Sequence, residues 1–126
     1  MSEKYLSELH KEYVKWGKDI EFYRDELTTF KHRLEEIIAQ NTKIEVTSMV
    51  EHFQNQFIRQ EEVMDELRHD INAAEHALAE NAKANNVATD HRKAEEDAGL
   101  VDRMNMFVKI YDELKDEFTR FAADVM

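Results

Sequence analysis

The stretch LSELHKEYVKWGKDIEFYRDELTTFKHRLEEII, residues 6–38, decides the fold. Its large apolar side chains fall at Leu6, Leu9, Tyr13, Trp16, Ile20, Tyr23, Leu27, Phe30, Leu34 and Ile37, in unbroken steps of three and four. With 3.6 residues to a turn, such steps gather these groups onto one stripe of an α-helix. A strand needs alternation by two, which the stretch lacks. It predicts a helix over about 3–40.

Working outward, the stripe ends near Asn41, a residue suited to a left-handed cap. Thr42-Lys43-Ile44-Glu45 then reads as a capping box, with Thr42 accepting from the Glu45 amide and Glu45 reaching back. A second helix is therefore expected over about 43–85, its stripe being Val46, Val50, Phe53, Phe57, Gln60, Met64, Leu67, Ile71, Ala74 and Leu78. The pattern fades at Asn81 and Asn85-Asn86, so the second reversal is expected at about 85–89, with Asn86 or Thr89 as cap. A third helix, over about 89–125, carries Leu100, Met104, Phe107, Tyr111, Leu114, Phe118, Phe121 and Val125. Upstream, His91, Ala94, Ala98 and Val101 follow another phase, so a kink or a close approach is expected at Gly99.

Proline is absent and glycine occurs twice, which leaves few places for chain reversal. The 126 residues thus read as one domain (1–126). It is all-α, an up-down-up antiparallel three-helix bundle of long helices, each about 40 residues or about 60 Å. Reversals centred near 42 and 87 put Trp16 level with Leu67 and Phe107. They put Leu9 level with Ala74 and Leu100, and Phe30 level with Phe53 and Phe121. The alanine-rich part, Ala73 to Ala98, faces the bulky start of helix one. Gln60, the one polar group on a stripe, falls level with Tyr23 and Leu114. There it either bonds the Tyr23 hydroxyl or a water, or lies at a partly solvated edge.

Charge narrows function. The formal net charge of −11 repels polyanions, so nucleic acid and anionic membranes are poor partners and a basic protein partner is a better one. No apolar run approaches the ~20 residues needed to cross a bilayer. Met1 to Leu9 has no apolar signal core, and cysteine is absent, which fits a cytoplasmic location.

Chemistry-bearing patterns are sparse. Glu66-Leu67-Arg68-His69 is a lone Glu-x-x-His pair on the outer side of the Leu67 stripe, where ferritin-like sites need two such pairs pointing inward. His69 and His76 stand seven apart, about 10 Å along a helix, too far to share an ion. His32/Glu36 and His91/Glu95 have workable spacing, but His32 falls on the outer face. Ser7 and Ser48 lie in helices without an obvious base, and no glycine-rich loop exists for phosphates. Lys15–Asp19, Lys31–Glu35, Lys109–Glu113 and Asp116–Arg120 read as ordinary i,i+4 pairs. No catalytic residue, metal ligand or cofactor is expected.

The apolar residues off the stripes are more informative. Ile38 and Ile110 flank the core and are expected within its broader face, while Val14, Phe22, Ile58 and Met106 sit further round and form the candidate interaction patch. Val50-Glu-His-Phe-Gln-Asn-Gln-Phe-Ile58, followed by Asp65-Glu-Leu-Arg-His-Asp-Ile71, resembles short bacterial helical-bundle proteins without an assigned function. The resemblance covers helix two and implies no activity; the overall shape also resembles a spectrin-type three-helix repeat, an architectural likeness alone. The leading expectation is a non-enzymatic bundle that mediates protein–protein contact or self-association, for instance as a homodimer. A carboxylate/histidine metal-binding bundle of the ferritin or hemerythrin kind is the alternative. Exchange of helix three between two chains would preserve the same layers.

Overall fold

Each apolar stripe needs a surface to bury against, and the chain supplies two partners for each. The computed structural model describes residues 3–84, 93–95 and 98–125. A short strand β1 (Glu3–Tyr5) leads into α1 (Leu6–Gln40), followed by α2 (Ile44–Ala84), a second short strand β2 (Lys93–Glu95) and α3 (Ala98–Val125). Cross-helix contacts fix the directions. Arg24–Asp65 and Lys31–Glu61 set α2 antiparallel to α1, and His52–Glu117 and Arg103–Asp70 set α3 antiparallel to α2. Lys115–Glu26 accordingly joins two parallel helices. The fold is the expected all-α, up-down-up bundle.

The core follows the stripes. Leu6, Leu9, Tyr13, Trp16, Ile20, Leu27, Leu34 and Ile37 are buried on α1, and on α2 every stripe position from Val50 to Ile71 is. Leu100 through Phe118 complete the core from α3. Aromatic rings fill the half nearer the first turn: Phe53 packs against Phe57, Phe118 and Phe121 at centroid separations of 6.1, 5.2 and 5.1 Å. The opposite end is built from smaller groups, where Leu6, Ser7 and His10 face Leu78, Ala79 and Ala82. Gly17 is buried because the guanidinium of Arg68 occupies the space its Cβ would need.

Several local expectations are corrected. Helix one starts at Leu6, not at 3: residues 3–5 pair antiparallel with 93–95, Lys4 opposite Ala94, and this gives the backbone ahead of the helix hydrogen-bond partners. Helix three starts at Ala98 rather than 89. Its clean stripe begins only at Leu100, and Lys93–Glu95 has no apolar face in phase with the core to hold it as helix. Gly99 therefore stands in the first turn and kinks nothing. The reversal expected at 85–89, with its caps Asn86 and Thr89, lies outside the described residues.

The first turn also differs. Asn41 is extended (φ −133°, ψ 125°), not left-handed, and closes α1 with its side chain, Nδ2 donating to the Ile37 carbonyl at 3.0 Å. The Lys43 carbonyl accepts from the Val46 and Thr47 amides, so α2 begins one residue later than a Thr42 capping box requires.

The layers of α1 are displaced by one to two turns. Phe30 meets Phe57 and Phe118 (6.5 and 5.4 Å), not Phe53 and Phe121, and Phe107 packs against Tyr23 rather than Trp16. Phe53 and Phe121 do share a layer, so the α2–α3 register is as expected. The α1–α2 and α1–α3 contacts shift together while the α2–α3 contacts do not, so α1 as a whole is displaced along its axis. Phe53→Ala should cost about 3–5 kcal/mol of stability, read as a lower denaturant midpoint, because it empties the centre of the aromatic cluster.

Candidate interaction surface

A site for chemistry needs convergent polar groups. Among the described residues no three His, Cys, Asp or Glu side chains come together as metal ligands. Glu66 and His69 are both exposed, as are His32 and Glu36, while His91 lies outside the described residues. His52 bonds Glu117 at 2.8 Å on the surface between α2 and α3. Ser7, His10 and Glu75 line one cleft of about 400 Å³, and among the described residues no hydrogen bond joins them. Of the expected i,i+4 pairs Lys15–Asp19 forms at 2.8 Å, whereas Lys31 reaches across to Glu61 at 2.7 Å.

Among the described residues Tyr111 and Gln60 carry polar groups into the core, with different outcomes. The buried Tyr111 hydroxyl donates to Glu26 Oε1 at 2.8 Å, and Lys115 holds the other carboxylate oxygen at 3.0 Å. Burial, and then the bond to Glu26, push the Tyr111 hydroxyl well above its ordinary range. Burial first, then the Asp112 and Asp19 carboxylates, push Tyr23 up as well. A tyrosine on a buried stripe needs a partner for its hydroxyl, and that is the signal by which Glu26 was findable in the sequence. Gln60 fares worse: it is 4% exposed, and its Oε1 has no hydrogen-bond partner among the described residues. Neither the bond to the Tyr23 hydroxyl nor the solvated edge is found; Tyr111 bonds the Tyr23 carbonyl instead, at 3.4 Å.

The exposed apolar residues lie along open clefts between helices. Lys31, Leu34, Glu35 and Ile38 of α1 face Gln54, Asn55, Phe57 and Ile58 of α2 across a cleft of about 340 Å³. A second cleft, of about 250 Å³, runs between α2 and α3, where Val63 and Gln60 meet Met106, Phe107 and Ile110. Ile58 and Met106, both 54% exposed, thus stand in different clefts. Val14 is half-buried among Lys11, Lys15 and Lys18 on the outside of α1, and Phe22, 61% exposed, lies one heptad beyond Lys15 on that helix. The four candidate residues are therefore spread over three surfaces. Ile38 and Ile110, expected in the core, are each 41% exposed, since three helices bury a narrower face than was allowed for them.

Gln60→Met should raise stability by about 1 kcal/mol in chemical unfolding, because it removes an amide oxygen desolvated without a partner. With the folded pKa of Tyr111 above its unfolded value, the contribution of this group to stability is fully present below about pH 10 and is lost as pH rises further. Tyr111→Phe should make that alkaline decline shallower by up to about 1.4 kcal/mol per pH unit, measured from denaturant midpoints across pH.

No helix among the described residues is long and apolar enough to cross a membrane. No family model, curated protein or solved structure matches the chain, so the interaction surfaces are read from their own geometry.

Proposed function

We propose that the chain is a non-enzymatic helical bundle that acts through protein–protein contact, binding a partner protein or a second copy of itself. The observation that carries this reading is the placement of Ile38, Ile58, Met106 and Ile110. All are large, exposed and set along clefts with apolar floors rather than scattered singly. Clefts between helices accept amphipathic helices, whose apolar side chains recur at the same three- and four-residue steps. The formal charge of −11 disfavours nucleic acids and anionic membranes as partners, and favours a protein surface with basic groups.

The test uses the full chain purified with an affinity handle, beside its Ile58→Ser/Met106→Ser variant. Wild type should self-associate in light scattering or retain a stoichiometric protein partner. The variant should lose that association while its melting temperature changes little, since both positions are exposed. A wild-type monomer that retains no partner would refute the reading, as would a variant that associates like wild type.

A further inference from the structure

The outer face of α1 changes character along its length. In its first half Lys11, Val14, Lys15 and Lys18 share one surface, with Phe22 one heptad beyond Lys15. Lys15 is neutralised by Asp19, but Lys11 and Lys18 make no ion pair among the described residues. In its second half α1 forms, with α2, the cleft floored by Leu34 and Phe57 and walled by Ile38 and Ile58. There Lys31 is neutralised by Glu61, whereas Glu35 on the cleft and Glu51, one heptad before Ile58 on the same face of α2, make no ion pair among the described residues. Among the described residues two lysines without an ion pair thus stand beside Val14 and Phe22 in the first half of α1, and two carboxylates without one, Glu35 on α1 and Glu51 on α2, stand by Ile38 and Ile58 at its other end.

Resting on the reading of the chain as a protein-contact bundle, we infer that the partner is a second copy of this chain, whose Lys11, Val14 and Lys18 face of α1 docks antiparallel into the cleft at Glu35, Ile38, Glu51 and Ile58. A two-fold axis crossing near the middle of α1 makes the contact twice. It brings Lys18 opposite Glu35 and Val14 opposite Ile38, with Lys11 near the start of α2 and Glu51. Because the basic face and the acidic cleft both belong to the α1 side of the bundle, one axis satisfies both ends at once, and the interface closes on itself instead of propagating. The α2–α3 cleft cannot substitute, since it lies away from α1 and both of its arginines are already engaged, Arg59 with Glu62 and Arg103 with Asp70. The apolar groups supply the area, while the charges set the orientation.

Charge exchange tests this with the full chain in sedimentation equilibrium. Wild type should dimerise. Lys11→Glu/Lys18→Glu and Glu35→Lys/Glu51→Lys, each confirmed as helical by circular dichroism, should each weaken dimerisation at least about tenfold, because both copies of the contact become repulsive. An equimolar mixture of the two variants should restore a heterodimer of near wild-type affinity, since every contact is again between opposite charges. The inference is overturned by a monomeric wild type, by variants that dimerise as wild type does, or by folded variants that fail to complement. A monomer that still retains a different protein through Ile58 or Met106 would overturn this inference while leaving the contact function standing.

Discussion

Burial of one apolar seam along each of three helices is the constraint on which everything else depends. None of these helices can hide its stripe alone, and helices in water gain most of their stability from packing rather than from propensity. The seam is continuous from Leu6 to Ile37 on α1 and from Val50 to Ile71 on α2, so the two long helices are held along most of their length. α3, with 28 residues, is the shortest because its stripe begins only at Leu100. Charged groups are left to the edges of the seams, where pairs such as Arg24–Asp65 and Arg103–Asp70 bridge helices without entering the core. Each such exposed pair contributes little.

Polar intrusion into the seam is tolerated where it is paired. Tyr111 carries its hydroxyl to Glu26 at the edge between α1 and α3, and Lys115 neutralises the carboxylate, so a buried ring is obtained without an orphaned oxygen. Gln60, on the same kind of stripe position, leaves its oxygen without a partner among the described residues. The difference is one of reach. The Tyr111 ring spans from the core to a carboxylate at the rim, while no donor among the described residues comes within reach of the Gln60 oxygen.

The surface repeats the division seen in the core. Apolar groups that three helices cannot cover line the clefts between them, at Ile38 and Ile58 on one side and at Met106 and Ile110 on another. A bundle of three helices leaves such clefts wherever flanking positions carry isoleucine or methionine instead of polar residues. A fourth helix, from whatever source, is the shape that fills them.

The sequence by itself determined the helices, their order and the identity of nearly every core residue. A three- and four-residue apolar rhythm has one structural solution, and the shortage of glycine and proline limits where the chain reverses. It also marked Ile58 and Met106 as lying off the core stripes. The tertiary structure alone decided what depended on distances between helices. It set α1 one to two turns from its counted layers, because counting residues from a turn does not fix how far one helix sits along another. It paired 3–5 with 93–95, because backbone outside the seams must find hydrogen bonds wherever the fold brings strands together. It also separated Val14, Phe22, Ile58 and Met106 onto three surfaces, since a heptad wheel gives a residue's angle on its own helix but not which neighbour stands beside it.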